Sequence, residues 1–152
     1  MESVWDYPRP PRVEACARTA RVEFAGLTVA ESSAALRVLE TSQAPAIYFP
    51  PGDVDLTLLE AVARSTHCEW KGTAGYFDLV AGRRRSAGAA WSYRHPVAAY
   101  EAIRDHLAFY AQRLDCSVDG EAVLGNEGTF YGGWITSDVV GPFKGGAGTA
   151  HW

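Results

Sequence analysis

Cysteine is scarce in this 152-residue chain, and its spacing excludes two classes of small protein. Cys16, Cys68 and Cys116 lie far apart and form no Cys-x-x-Cys pair. The sequence therefore supports neither a disulfide framework nor a structural zinc site, and we predict no metal and no cofactor. Unpaired thiols are typical of a reducing compartment, so a cytoplasmic location is expected.

Excess basic charge and long apolar runs are also lacking. The net charge of −4 argues against a general nucleic-acid binder, because such proteins carry a basic face. No apolar run approaches the roughly 20 residues that cross a bilayer, and no signal-peptide pattern opens the chain. We therefore expect neither a nucleic acid nor a membrane as partner.

Composition and turn residues predict one mainly β domain. Hydrophobic residues make up 47% of the chain and charged residues 21%, as in ordinary globular proteins. Residues 1–12, with three prolines, are predicted to form an extended N-terminal arm, and residues 13–124 the folded core. The glycine-rich residues 125–152 are predicted to form an irregular segment packed on that core.

Several segments alternate polar and apolar residues around turn signals, which favours an antiparallel fold of short hairpins. Arg21–Ala30 turns at Ala25–Gly26, and Leu114–Val123 turns at Asp119–Gly120, a two-residue hairpin signal. The remaining predicted strands are Ala35–Thr41, with a helix as the alternative, Pro45–Phe49, Thr66–Lys71, Tyr76–Val80 across Gly72–Gly75, and Ser86–Tyr93.

Two helices are predicted between these strands. Val97–Leu107 follows Pro96 and carries apolar residues at helical spacing, which makes it the main helix. Asp53–Ala63 has a possible capping aspartate and the same spacing, and is predicted as a second, short helix.

One predicted strand carries three polar groups that act in acid–base and anion-binding sites. Alternation within Thr66–Lys71 places His67, Glu69 and Lys71 on one face, with Cys68 on the other. An imidazole and an ammonium side by side can protonate and hold a polar ligand. The alternative is a solvated face with a surface ion pair.

A second polar pair lies on Ala35–Thr41. Arg37 can hold a carboxylate or phosphate through two parallel hydrogen bonds. Glu40, next to apolar residues, is suited to moving a proton. On a helix the same two residues would instead form an ordinary ion pair three positions apart.

Aromatic residues at alternating strand positions predict either core packing or the wall of a ligand site. Trp91 and Tyr93 share one face of their strand, and Tyr48 and Tyr76 lie on other predicted strands. Lys144 precedes two glycines and lacks the arrangement of a phosphate-binding loop, although a backbone nest for an anion stays open.

Several motifs, in order, resemble the bacterial family designated domain of unknown function 427, sometimes labelled nucleotidyltransferase-like. The segments are ALRVLETS (Ala35–Ser42), IYFPP (Ile47–Pro51), STHCEWKG (Ser65–Gly72), AWSY (Ala90–Tyr93), and GGWIT with GPFKGG (Gly132–Gly146). The similarity extends from about Glu2 to Trp152.

The resemblance implies an antiparallel β-tent similar to Mss4, in which two sheets meet at an angle and hold the site in the cleft between them. This chain lacks the two Cys-x-x-Cys knuckles that bind zinc in many β-tent proteins, so metal is not carried over. It also lacks an Asp-x-Asp pair for the metal of nucleotidyl transfer, so that label indicates only an anionic ligand.

Two functions are consistent with these patterns. The first is binding of a small polar or anionic metabolite in an aromatic-walled cleft, with or without acid–base catalysis. Glu40 and His67 are the candidate catalytic residues, and the candidate ligand-binding residues are Arg37, Tyr48, Lys71, Tyr76, Trp91 and Tyr93. The second is a non-catalytic recognition module, in which Trp70, Trp91, Tyr93 and Trp134 form an aromatic cage for a partner side chain or nucleobase.

Overall fold

The computed structural model describes residues 1–152 and is mainly β, with antiparallel sheets, as predicted. Its strands are β1 (Glu2–Ser3), β2 (Arg12–Ala15), β3 (Ala20–Phe24), β4 (Leu27–Ser32), β5 (Leu36–Leu39), β6 (Ala46–Phe49), β7 (Leu59–Cys68), β8 (Gly72–Ala81), β9 (Arg84–Ser92), β10 (Leu107–Phe109), β11 (Asp115–Val118), β12 (Glu121–Ala122), β13 (Leu124–Gly125), β14 (Trp134–Ile135) and β15 (Val139–Val140).

Two antiparallel sheets form the body of the domain. The large sheet has seven strands in the order β2-β5-β6-β10-β9-β8-β7, and the small sheet has four in the order β12-β11-β3-β4. The β-tent arrangement expected from the resemblance concerns the angle between two such sheets, and it stays a prediction.

The two hairpins of the small sheet turn where the sequence predicts. Ala25 and Gly26 have φ angles of 52° and 77°, and Asp119 and Gly120 have 48° and 80°. Positive φ at both central residues defines the turn that matches the twist of a two-residue hairpin. The second residue of each pair is glycine, which adopts this conformation without a steric cost.

The main core lies between the two sheets. It joins Val22 and Val29 of the small sheet to Phe49 and Phe109 of the large one. Trp134 from the C-terminal segment packs into the same core, with its ring 5.9 Å from that of Phe49. Its indole N–H donates to the Phe109 carbonyl, so this tryptophan holds the segment on the domain.

Strand alternation places a second, aromatic cluster on the other face of the large sheet. In β6, Ile47 and Phe49 belong to the core and Tyr48 belongs to the second cluster. In β9, Ala90 points to the core and Trp91 to the second cluster. A strand covered on both faces carries apolar side chains in both directions, which explains the many buried aromatic residues.

The predicted main helix is shorter than expected. Ala98–Ile103 forms a 3-10 helix, kinked at Tyr100, and Asp105 with a φ of 58° turns the chain away from it. Leu107 begins β10, which pairs with β6 and β9. Burial of Leu107 in the sheet outweighs its place in a helical pattern, because tertiary packing overrides local propensity.

The predicted helix Asp53–Ala63 is wrong. Short 3-10 turns occupy Pro51–Asp53 and Leu56–Leu58, and the long strand β7 starts at Leu59. The Asp55 carboxylate accepts a hydrogen bond from Thr57 N at 3.1 Å and caps the start of the second turn. Pairing with β8 then determines the conformation that follows.

The two ends of the chain pair with each other. The predicted arm contains β1, which lies parallel to β15 with Glu2 opposite Val139. Val4 is fully buried and packs against Leu39. Most of residues 125–152 lie outside regular structure, apart from the short strands β14 and β15 and the end of β13.

Candidate ligand-binding cleft

A cavity of about 340 Å³ lies on the aromatic face of the large sheet. Strands β5 to β9, the loops around them and Tyr110 supply one side of its lining, and residues 130–133 with Lys144 of the C-terminal segment supply the other. We call this cavity the cleft. Seven of the eight residues predicted from the sequence line it: Glu40, Tyr48, His67, Lys71, Tyr76, Trp91 and Tyr93.

The wall of the cleft is a continuous set of aromatic side chains on neighbouring strands. Trp91 packs against Tyr110 with ring centroids 4.7 Å apart, and against Tyr48 at 6.1 Å with the rings nearly perpendicular. Tyr76 lies directly opposite Trp91 on β8. These contacts between aromatic rings hold the wall together.

Two tyrosine hydroxyl groups in this wall have no acceptor within the chain. The Trp91 indole N–H donates to the Tyr48 hydroxyl oxygen at 3.1 Å, which leaves the Tyr48 proton free to be donated. Burial raises the pKa of Tyr48, and Lys71 and the Trp91 hydrogen bond only partly oppose this. Burial likewise raises the pKa of Tyr93. Both groups are therefore neutral donors at physiological pH.

Lys71 provides a positive charge beside these donors. Its ammonium nitrogen lies 5.7 Å from the centroid of the Tyr93 ring. Burial opposes its charge, but charge interactions with the titratable groups around it, namely Tyr48, Cys68 and the Glu40 carboxylate, outweigh burial and raise the pKa of Lys71. No carboxylate lies within ion-pair distance of it.

The position of Lys71 differs from the predicted one. The turn between β7 and β8 lies at residues 69–71, because Cys68 pairs with Gly72, and not at Gly72–Gly75. His67, Glu69 and Lys71 therefore do not share one strand face. His67 and Glu69 are exposed at the rim of the cleft, whereas Lys71 is partly buried within it.

The two candidate catalytic residues differ in their surroundings. The side chain of Glu40 is 13% exposed and forms an ion pair with Arg9 at 3.4 Å. His67 at the rim has its Nδ1 atom 3.3 Å from the hydroxyl oxygen of Thr73. Each reaches the cleft, but the Glu40 carboxylate already has a cationic partner.

Arg37 lies outside the cleft, contrary to the prediction that it joins Glu40, His67, Lys71 and Tyr76 in one cavity. Alternation along β5 turns it to the opposite face from Val38, where it binds Glu2 and Glu14 at 2.7 Å each. These carboxylates raise the pKa of Arg37 although burial opposes the charge. It lines a second cavity of about 300 Å³ and has a structural role there.

The C-terminal segment covers the cleft closely. A Cβ atom on Gly132 would lie 2.5 Å from Trp91 Cζ3, so only glycine permits this approach. Lys144 reaches the cleft from the same segment, with its ammonium 5.3 Å from the Tyr131 ring centroid and 3.4 Å from the Trp152 carbonyl oxygen. Lys71 and Lys144 are the only two lysines of the chain, and both line the cleft.

Several lining residues escaped the sequence prediction. Tyr110 follows β10 and donates to the Phe130 carbonyl at 3.0 Å, which joins the wall to the C-terminal segment. Gln43 and Tyr131 also contribute. Since all three lie outside predicted strands, no periodicity marked them.

The cysteines separate into two environments. Cys16 and Cys116 are buried in the core, and Cys68 lines the cleft. His67 and Cys68 point to opposite faces of β7, as alternation requires, so they do not form a catalytic pair. No three His, Cys, Asp or Glu side chains lie close enough together to hold a metal ion.

Fold and cleft together define a mainly β domain whose aromatic-walled cavity contains unpaired positive charge. The family described as "Domain of unknown function (DUF427)" matches residues 12–120, and the chain belongs to this family. No curated protein matches the chain. The structure contains no helix of the length and apolar character needed to cross a membrane.

Proposed function

We propose that the cleft binds a small anionic metabolite that has a flat, apolar part. The observation that carries the proposal is the environment of Lys71, a positive charge in an aromatic cavity without a carboxylate partner. Burying a charge without a partner costs free energy, so folding alone gives no reason for this placement. An anionic ligand supplies the missing partner.

The neighbouring hydroxyl groups complete the proposed anion site. Tyr48 and Tyr93, with ring centroids 6.5 Å apart, each offer a neutral O–H beside the Lys71 ammonium. A hydrogen bond to a charged group contributes about 1.5–3 kcal/mol of binding free energy. Three such donors around one carboxylate or phosphate contribute about 4.5–9 kcal/mol before the cost of association is deducted, so micromolar affinity also requires stacking of the ligand on the aromatic wall.

The size and lining of the cleft fit a metabolite. Its volume of about 340 Å³ lies at the lower end of the range for small-molecule pockets, roughly 300–1,000 Å³. Trp91 and Tyr110 provide the apolar surface on which a flat group stacks. We therefore expect a ligand of modest size with one conjugated or ring portion.

Acid–base conversion of the ligand stays a prediction with less support than binding. The Glu40 carboxylate is engaged in an ion pair with Arg9. His67 at the rim is the better-placed base. The recognition module is also less favoured, because Trp134 belongs to the core and Lys71 would repel a cationic partner side chain.

A ligand screen with matched variants tests the proposal. Organic acids, sugar phosphates, nucleotides and their neutral analogues are added to the wild type, Lys71→Met and Arg94→Met while thermal unfolding is followed. Arg94 is exposed, next to Tyr93 in sequence, and outside the cleft, so it controls for net charge. A ligand at 100 times its Kd adds about 2.7 kcal/mol of stability, which raises Tm by roughly 5–11 °C for this size.

The proposal predicts anionic hits that persist in Arg94→Met and disappear in Lys71→Met. Hits that survive equally in both variants, or that are all neutral, would contradict it.

A further inference from the structure

Two strand irregularities lie side by side at one end of the cleft. Between β7 and β8 the pairing passes from Val62–Tyr76 to Ser65–Gly75, which leaves Ala63 and Arg64 unpaired. Between β8 and β9 it passes from Phe77–Ala90 to Leu79–Ser86. Bulges redirect side chains and are frequent beside functional sites.

Two arginines lie close together beside these bulges: Arg64 in the β7–β8 irregularity, and Arg113 in the turn after β10. The guanidinium carbon of Arg64 lies 4.2 Å from the Tyr76 ring centroid, and that of Arg113 lies 5.8 Å from the Tyr110 ring centroid. Arg113 also donates to the Ala87 carbonyl. A Cβ atom on Gly88 would lie 3.6 Å from Arg64 Nη1 and 4.0 Å from Arg113 Nη1. Both guanidinium groups thus stand over the same glycine.

Neither arginine has an acidic partner. Arg85, on the same hairpin, binds Glu60 and Asp78. The second oxygen of the Asp78 carboxylate accepts from Gly88 N at 2.7 Å, so this group is fully engaged. Two converging guanidinium groups repel each other, and aromatic contacts alone do not neutralise them. An anion between the two guanidinium groups would remove this repulsion.

The arginines adjoin the cleft at the end away from Lys71. Tyr76 and Tyr110, on which they rest, line the cleft. Along β9 the order is Gly88, Trp91 and then, just beyond the strand, Tyr93, next to which Lys71 lies. Five residues at no more than about 3.3 Å each separate Gly88 from Tyr93 by at most roughly 16 Å.

We propose that Arg64 and Arg113 form an anion subsite for the phosphate group of a phosphate monoester, whose remaining part extends along the Trp91 wall. Guanidinium groups match phosphate oxygens through paired hydrogen bonds, and two of them balance a dianion. The absence of a side chain on Gly88 leaves the space between them open. The subsite does not require Lys71, so it stands or fails separately from the proposed function.

Titration followed by NMR of the arginine side-chain Nε–H groups tests the subsite. Inorganic phosphate and phenyl phosphate are added at constant ionic strength to the wild type, Arg64→Gln, Arg64→Lys, Arg113→Gln and Arg83→Gln. Arg83 is exposed in the β8–β9 turn without an ion pair, and serves as the matched control. All the substituted side chains are exposed, and unchanged Tm values verify that the variants fold.

We expect saturable shifts of Arg64 and Arg113 and at least tenfold weaker binding of both phosphates in either glutamine variant. Arg64→Lys keeps the charge but loses the planar fork, so an intermediate affinity is expected. Phenyl phosphate binds more tightly than inorganic phosphate and quenches tryptophan fluorescence.

Shifts that do not saturate, or an equal loss in Arg83→Gln, would overturn the subsite. Equal affinity for the two phosphates would overturn its continuity with the cleft. We expect the phosphate-induced NMR shifts of Arg64 and Arg113 to persist in Lys71→Met. Loss of the proposed Lys71 site therefore leaves the arginine subsite measurable, and the two proposals can fail independently.

Discussion

Replacement of Gly132 by alanine tests whether the C-terminal segment packs on the aromatic wall as described. The new Cβ would lie 2.5 Å from Trp91 Cζ3 and 3.2 Å from Tyr110 Cδ1. Neither ring can move easily, because the Trp91 indole N–H donates a hydrogen bond to the Tyr48 hydroxyl oxygen and the Tyr110 hydroxyl donates one to the Phe130 carbonyl. The segment or the indole has to move.

The expected cost follows from two opposing effects. Overpacking a well-packed site costs about 1–3 kcal/mol. Alanine also restricts the unfolded chain, which returns about 0.4–1 kcal/mol. We expect a net loss of up to about 2.6 kcal/mol in the free energy of unfolding, which lowers Tm by up to roughly 10 °C in a domain of this size.

Urea unfolding and NMR of the indole N–H groups measure this effect. Gly75→Ala is the matched control, because a Cβ there meets no atom within 4 Å and its φ is not positive. We expect Gly132→Ala to shift the Trp91 indole signal and weaken ligand binding, and Gly75→Ala to do neither. Equal stability of the two variants, with an unmoved Trp91 signal, would refute the packing described here.

Three further predictions concern the thiols, an ion pair and the cleft wall. We expect Cys68 to react with a thiol reagent in the native protein and Cys116 not to react, because Cys116 is buried and burial raises the pKa of the Cys116 thiol to about 12. Labelling followed by mass spectrometry measures the reactivity of each cysteine. The hydrogen bond from Arg37 lowers the pKa of Glu2 below its ordinary 4.5, so the pair stabilises the fold above that pH and the contribution is lost as pH falls through the lower value. Wild type and Glu2→Gln should therefore differ in Tm at pH 6 and converge in acid; a constant difference would be inconsistent with the pair. Tyr48→Phe leaves a buried indole N–H without its acceptor, which costs about 1–3 kcal/mol in urea unfolding. An unchanged unfolding free energy would show that this hydrogen bond contributes nothing.

Local signals predicted much of the fold. The turns at Ala25–Gly26 and Asp119–Gly120 are determined by residues that adopt positive φ, and this information lies within the turn itself. The strands β5, β6 and β9 follow from alternation in the same way. The end of the predicted helix Val97–Leu107 was wrong because long-range pairing decides the structure there. Leu107 lies in a helical pattern but pairs with β6 in the large sheet.

Most of the candidate residues predicted from the sequence line the cleft, but the positions of Arg37 and Lys71 in the structure differ from the predicted ones. The aromatic positions Tyr48, Tyr76 and Trp91 follow from strand alternation and lie together because β9 adjoins β8 and is separated from β6 only by β10. The side of the sheet that Arg37 faces, and the turn that carries Lys71, depend on the register of strand pairs. A shift of one residue in the register moves a side chain to the other face of the sheet.

The central claim is that Lys71 pairs with an anionic group of the ligand, and a double-mutant cycle measured by calorimetry tests it most directly. Binding of an anionic hit and of its neutral amide or ester analogue is compared in the wild type and in Lys71→Met. We predict a coupling free energy of about 1.5–3 kcal/mol, so that removal of either charge weakens binding roughly 10–150-fold and removal of both costs little more. A coupling free energy near zero would contradict the account.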